Sequence, residues 1–291
     1  MEVCELCPRL CKVSRASGQM GFCGEGKEIR VARVGLHHFE EPPISGSRGS
    51  GTVFFVGCSL RCVFCQNRAI SRGEQVGEIL SPRSLADRFL LLEEQGAHNV
   101  NLVTPTHFSD GVARALSLVR HRLSIPVICN TSGYERVETL RTLEGLVDAY
   151  LPDFKYWSSD LSARYSGAAD YRQVAEGALL EMYRQVGDFT LDENGLLRSG
   201  ILVRHLVLPA NRHDSMAVLD RIARLLPPDR IRVSIMSQYT PEFAMDCPFP
   251  ELHRKVTRFE YESVVEHALS LGLRGYMQGR DSASSIYTPK F

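Results

Sequence analysis

Cys58, Cys62 and Cys65 stand in the run GCSLRCVFCQN, spaced C-x3-C-x2-C, directly after the apolar stretch Gly51-Thr52-Val53-Phe54-Phe55-Val56. Three thiolates on one tight loop can hold three irons of a [4Fe–4S] cluster, whereas a closed cluster takes four cysteines. The fourth iron is then open to bind something else. A zinc loop and three buried thiols are the competing readings. The strand-like run before the loop, CQN after it and Phe64 within it favour the cluster.

A second group, Cys4, Cys7, Cys11 and Cys23, is spaced C-x2-C-x3-C-x11-C, with Pro8 and Arg9 shaping the knuckle and Gly21 and Gly24 flanking the last cysteine. Four thiolates satisfy a tetrahedral zinc site or a fully ligated auxiliary [4Fe–4S] cluster. A segment this short cannot bury a core of its own, so metal would supply its folding energy. Unmetallated thiols packed on the rest of the chain are the alternative. A closed four-cysteine site is structural or electron-transferring.

The elements that must position these groups are legible as an alternation. Gly51–Val56, Val100–Val103, Val127–Cys129, Val147–Leu151, Ile201–Leu208 and Ile231–Met236 read as strands. Helical spacing falls between them, over Ser84–Gln95, Ser109–Arg120, Glu135–Leu143, Tyr171–Val186, Ser215–Leu226 and Glu260–Leu271. Alternation of this kind means an α/β fold of parallel strands and crossover helices. An incomplete (β/α)6 barrel and a doubly wound open sheet both fit it. The expected division is a cysteine-rich metal-binding leader over 1–28 and a barrel over 29–291, with Ile29–Arg48 as the bridge. Gly46, Gly49 and Gly51 lack the context of a phosphate loop and read as a flexible entry to the first strand.

In parallel barrels chemistry sits at the C-terminal ends of the strands. Polar residues gather there: Thr104-Pro105-Thr106-His107, Asn130-Thr131-Ser132-Gly133, Asp153-Phe154-Lys155, Arg204-His205 and Ser237-Gln238-Tyr239. In register with the cluster loop they suggest a cofactor bowl. Asp153 with Lys155 could instead be a surface ion pair. Arg204, within an apolar strand, needs a buried anion or a route to water. His205 should face the other side of that strand and pack. His107 belongs to the bowl or caps the helix that starts near Ser109. Cys129 reads as core and Cys247 as a free thiol.

The cysteine loop resembles the signature of the radical S-adenosylmethionine (SAM) enzymes, in which the open iron chelates the cofactor's amino and carboxylate groups. That family keeps a ring at the position of Phe64, against the adenine side. From Glu41 to Tyr261 the chain resembles the activating enzymes of glycyl-radical enzymes, typified by the pyruvate formate-lyase activating enzyme. It is most similar to a branch with a CxxCPRxxC leader. EEPPISGSRGSGTVFFVGC, CQN, NLVTPTH, NTSGYE, LPDFKY, RHLVLP and MSQYTP carry the likeness. The resemblance implies a partial barrel, cofactor contacts at Gln66, Asn67, Asn130, Ser132, Asp153 and Lys155, and Arg204 near the methionine carboxylate. Thr104-Pro105-Thr106 replaces a GGE-like motif, leaving the Thr104 and Thr106 hydroxyls and backbone carbonyls to accept from the cofactor's amine. Gln238-Tyr239-Thr240 occupies the stretch where many activating enzymes place a histidine.

The implied reaction is one-electron cleavage of SAM to a 5′-deoxyadenosyl radical, with flavodoxin or ferredoxin as donor and a glycine on a partner protein as target. A small metabolite or peptide is the alternative target; an iron–sulfur electron carrier or scaffold is a non-enzymatic reading. In the 291-residue chain, Lys plus Arg and Asp plus Glu balance at 34 each, so no field draws it to nucleic acid or an anionic membrane. A hydrophobic share of 44% without an export signal or a spanning run points to a cytoplasmic enzyme with reduced thiols.

Overall fold

The computed structural model describes residues 3–72 and 77–279; the remaining residues, which include the ends of both expected segments, lie outside the described residues. Strand β1 (Ile29–His37) and the single-turn helix α1 (Pro42–Ser45) precede β2 (Ser50–Phe55). The cysteine loop follows, then α2 (Arg68–Ser71), β3 (Glu78–Leu80), α3 (Pro82–Glu94), β4 (Val100–Val103) and α4 (Ser109–Val119). Next come β5 (Val127–Thr131), α5 (Val137–Arg141), β6 (Ala149–Pro152), α6 (Ser159–Ser166) and α7 (Tyr171–Val186). β7 (Thr190–Leu191), β8 (Leu197–Leu206), α8 (Arg212–Leu225), β9 (Arg232–Met236), α9 (Arg258–Ser270) and β10 (Gly275–Met277) complete the order.

The sheet runs β10-β9-β8-β6-β5-β4-β2-β1-β3, and β2, β4, β5, β6, β8, β9 and β10 are parallel neighbours in sequence order. A doubly wound sheet would reverse its order partway. This one adds each strand on the same side, which curls the sheet around one interior. Two contacts show the curl. Gln66 after β2 donates to the Gln238 carbonyl after β9 at 2.9 Å, although four strands separate β2 from β9 in the sheet. Arg204 of β8 likewise reaches across to Glu40 and Glu41, which follow β1. The fold is therefore a partial (β/α) barrel.

Burial explains the strands. Every residue of β2, β4 and β6 is buried, as expected of parallel strands covered on both faces. Helix ends are fixed locally. The Ser81 side chain accepts from Ser84 N–H with Pro82 opening α3, and Thr257 with Glu260 forms a reciprocal cap on α9. α6 starts on a Ser158 cap and ends on Gly167 at φ 60°. Asp214 accepts from the Trp157 and Ser158 N–H groups, pinning the β6–α6 connection.

Two expectations are corrected here. Ile29–Arg48 is not merely a bridge, since β1 pairs antiparallel with β2 along most of its length. A register shift between Val31 and Arg33 breaks its alternation, so apolar Ile29 and Val31 are out of phase with Val34 and Leu36. Nor is the entry to β2 flexible. Gly49 donates to the Ser45 carbonyl at 2.7 Å, and a Cβ on Gly51 would stand 2.7 Å from the Asn99 carbonyl. Among the described residues no helix is long and apolar enough to cross a membrane.

Candidate active site and leader cysteine site

Six of the seven parallel strands, β2, β4, β5, β6, β8 and β9, each deliver a residue, from the strand or its end, to one cavity of about 240 Å³. Cys58, Cys62, Cys65, Phe64, Gln66 and Asn67 line it from the cysteine loop, Thr104 from just after β4, and Asn130 and Ser132 from the end of β5. Asp153 and Lys155 come from the end of β6, Arg204 from β8 and Gln238 from the end of β9.

Dense packing around Cys58 and the neighbouring Cys62 and Cys65 thiols push its pKa up to about 12, and burial raises Cys65 in the same direction. Thiols that resist ionisation, as burial makes Cys58 and Cys65 do, are suited to cationic iron, which reverses that bias. Lys155 supplies a fixed positive charge nearby. Burial opposes that charge, but Asp153 at 2.5 Å and the Cys62 sulfur outweigh it, and the amine is held above its ordinary pKa. With side chains only 16% and 21% exposed, Lys155 and Asp153 are not a surface pair. The three thiols and one cation in a shared cavity fit a cluster with an open iron.

Backbone geometry holds the strand ends together. Gly133, at φ 74°, lets the β5 loop pass so close that a Cβ would lie 2.1 Å from the Asp153 carbonyl. The buried Tyr171 hydroxyl accepts from Lys155 N–H at 3.0 Å and lies 2.8 Å from the Ser132 carbonyl and 3.0 Å from that of Asp153. Thr104, in the cavity lining, takes φ 58°, an unfavourable value for a branched residue.

Several expected residues are placed differently. Thr106 does not line the cavity; it is buried beside Glu135, whose carboxyl burial pushes up to about 7. His107 caps no helix. Its Nε2 pairs with the Val56 carbonyl at 2.7 Å, and burial lowers its pKa to about 4. Arg204 finds its buried anions in Glu41, at 3.0 Å from Nε, and in Glu40. Much of its guanidinium is thus taken by protein carboxylates. His205 packs with Nδ1 on the Phe154 carbonyl at 2.7 Å. Sequence reasoning missed His37, Glu40, Phe54 and Met236, which also line the cavity. Their signal was weak because His37 and Glu40 enter from the antiparallel β1 side, outside the strand-end rule.

The leader folds back against this site. Backbone bonds Cys4 N–H to Val13 O and Lys12 N–H to Cys4 O close its knuckle, with Leu10 and Lys12 at positive φ. A Cβ on Gly21 would stand 3.2 Å from the Cys11 sulfur and 3.5 Å from that of Cys23, so glycine leaves the space between them open. Burial raises Cys7 to about 12 and also raises Cys23. No three His, Cys, Asp or Glu side chains among the described residues converge closely enough to hold a single metal ion. The Cys23 carbonyl lies 2.8 Å from where a Cβ on Gly57 would be, which puts the leader directly behind the cysteine loop.

A parallel partial barrel with a three-thiol loop after its first parallel strand defines a class of iron–sulfur enzyme, and the comparisons agree. Residues 52–187 match the family model of the radical SAM superfamily. An uncharacterized protein of Methanocaldococcus jannaschii is 31% identical over 275 residues, covering 91% of this chain and 74% of the relative. A radical SAM methyltransferase from Sphaerobacter thermophilus shares the fold at TM-score 0.53 and 16% identity, over 80% of this chain and 69% of that one. SuiB of Streptococcus suis, bound to precursor peptide SuiA, gives TM-score 0.55 at 14% identity over 76% of this chain, which spans 46% of SuiB. This chain belongs to the radical SAM superfamily, whose members use a [4Fe–4S] cluster and SAM.

Proposed function

We propose that this chain is a radical SAM enzyme that removes a hydrogen atom from a glycine of a partner protein, as the activating enzymes it resembles do. The observation that carries the hydrogen-abstraction reading is the convergence of Cys58, Cys62, Cys65, Asp153 and Lys155 on one cavity. With Cys58, Cys62 and Cys65 holding the cluster and SAM beside it, the bound groups supply one-electron cleavage of the sulfonium carbon–sulfur bond and a hydrogen-abstracting carbon radical.

The protein's part is binding, orientation and exclusion of water. Lys155 would balance thiolate charge and pair with a carboxylate of the bound cofactor; Asn130 and Asp153 would accept from its ribose hydroxyls, and Phe64 would offer a ring to its adenine. Gln66 and Gln238 tie the cysteine loop to the far side of the barrel. The Thr104 hydroxyl would accept from the cofactor's amine. Beyond these groups the wall is largely apolar, with Phe54, Leu206 and Met236. Such a wall gives little purchase to a small polar substrate, which supports a target anchored outside the cavity, such as a protein loop. Glu40 and His37 favour a second reading, a small molecule or peptide bearing an amine or hydroxyl.

Residues 1–28 act as a metal-bearing leader on the barrel of 29–291, with Cys4, Cys7, Cys11 and Cys23 as ligands to zinc or an auxiliary cluster. Flavodoxin or ferredoxin serves as donor in a reducing cytoplasm. The test is 5′-deoxyadenosine release from SAM by anaerobically reconstituted, reduced protein, set against Cys62→Ala. Release by the wild type alone supports the reading; intact SAM with the cluster present and a glycyl-radical partner added would sink it. Deuterium passing from an α-deuterated glycine of that partner into 5′-deoxyadenosine identifies the target.

A further inference from the structure

Ser166, the last residue of α6, donates its hydroxyl to Cys62 Sγ at 3.0 Å. Its Oγ is in turn 2.7 Å from the Tyr156 hydroxyl, so Tyr156 donates to Ser166 when Ser166 donates to sulfur. All three groups are buried, at 3%, 1% and 8% exposure for Ser166, Tyr156 and Cys62. No solvent competes for the bond.

The helix end that carries Ser166 is held from the leader. Arg9, between Cys7 and Cys11, spreads its guanidinium over three carbonyls: Nε to Ser59 at 2.7 Å, one terminal nitrogen to Ser166 at 2.8 Å and the other to Gly167. Ser59 is the residue after Cys58. The guanidinium also lies 4.1 Å from the centroid of the Phe22 ring, next to Cys23. Arg9 therefore joins the leader, the cysteine loop and the orphan carbonyls at the C-terminus of α6, where a cation is favoured. From the other side, Val63 N–H donates to the Tyr165 carbonyl at 2.9 Å.

We propose that Ser166 sets the electron affinity of the group bound by Cys62, and that Arg9 is the positioning residue through which the leader controls that hydrogen bond. A bond to a ligating sulfur draws off negative charge and favours the reduced form, which carries one more electron. The proposal rests on the radical SAM reading for the identity of the group at Cys62. Ordering of the leader by its own metal would then reach the cluster through Arg9 and Ser166 without any contact between the two metals.

The experiment is a potentiometric titration of the reconstituted full-length chain followed by electron paramagnetic resonance. The signal tracked is the one that changes when SAM is added. Ser166→Ala should shift the reduction equilibrium about tenfold toward the oxidised form, ~59 mV for a one-electron couple. Ser166→Thr should restore most of it, and Tyr156→Phe should give a smaller shift of the same sign. Arg9→Ala should shift the potential in the same direction, and adding it to Ser166→Ala should shift it no further. A clustered protein whose potential is unmoved in Ser166→Ala and Tyr156→Phe overturns the proposal. Additive shifts for Arg9 and Ser166 overturn the role of Arg9. A wild-type chain that takes up no iron and sulfide at Cys58, Cys62 and Cys65 overturns the underlying reading instead.

Discussion

Burial around Glu135 raises its carboxyl from 4.5 to about 7, although the Ser132 hydroxyl lies 3.3 Å away, and its second oxygen has no partner among the described residues. A raised carboxyl loses its proton first in the unfolded chain. Its contribution to stability is therefore complete below about pH 4.5 and is lost as pH rises through about 7. The expected loss is of order ~3 kcal/mol. Glu135→Gln should match the wild type in melting temperature at pH 4.5 and exceed it at pH 8; parallel pH profiles would contradict this. Glu135 escaped sequence reasoning because a charge in NTSGYE reads as surface. The three loop cysteines did not escape it, because ligand spacing is local. Arg204 shows a third case: its need for an anion was legible, but Glu40 and Glu41 lie more than 160 residues away along the chain.

The crossing of β5 and β6 depends on Gly133, whose positive φ and 2.1 Å clearance from the Asp153 carbonyl leave no room for a side chain. Gly133→Ala should cost about 1–3 kcal/mol. It should also weaken SAM binding by displacing Asp153 and Lys155, as read by calorimetric titration beside a melting curve. Loss of the Thr257 cap on α9, remote from the cavity, is the contrasting case. Thr257→Ala should cost about 1 kcal/mol and leave SAM cleavage unchanged. Unchanged SAM affinity in Gly133→Ala would refute the proposed positioning. The alternating elements were readable to within a few residues because buried parallel strands are continuously apolar and the helices between them amphipathic. β1 was not, since the shift between Val31 and Arg33 disrupts its two-residue period.

Across the whole molecule, the leader and barrel meet at Arg9 and where Cys23 abuts Gly57. If metal supplies the leader's folding energy, Cys23→Ser should lower the metal content by one leader site and reduce stability by several kcal/mol. Elemental analysis and thermal melting would check it; full metal retention with an unchanged melt would count against a leader site. By itself the sequence picked out the cysteine loop, the alternation of strand and helix and the superfamily. Each of these rests on residue types at short separations, where covalent spacing dictates geometry. Only the tertiary structure decided between an open sheet and a barrel, because the two share one periodicity and differ in which strands meet. Only it brought Glu40 and Glu41 to Arg204, and Arg9 and Ser166 to the cysteine loop. Those pairings are made by the curl of the sheet across long stretches of chain, and no local pattern encodes them.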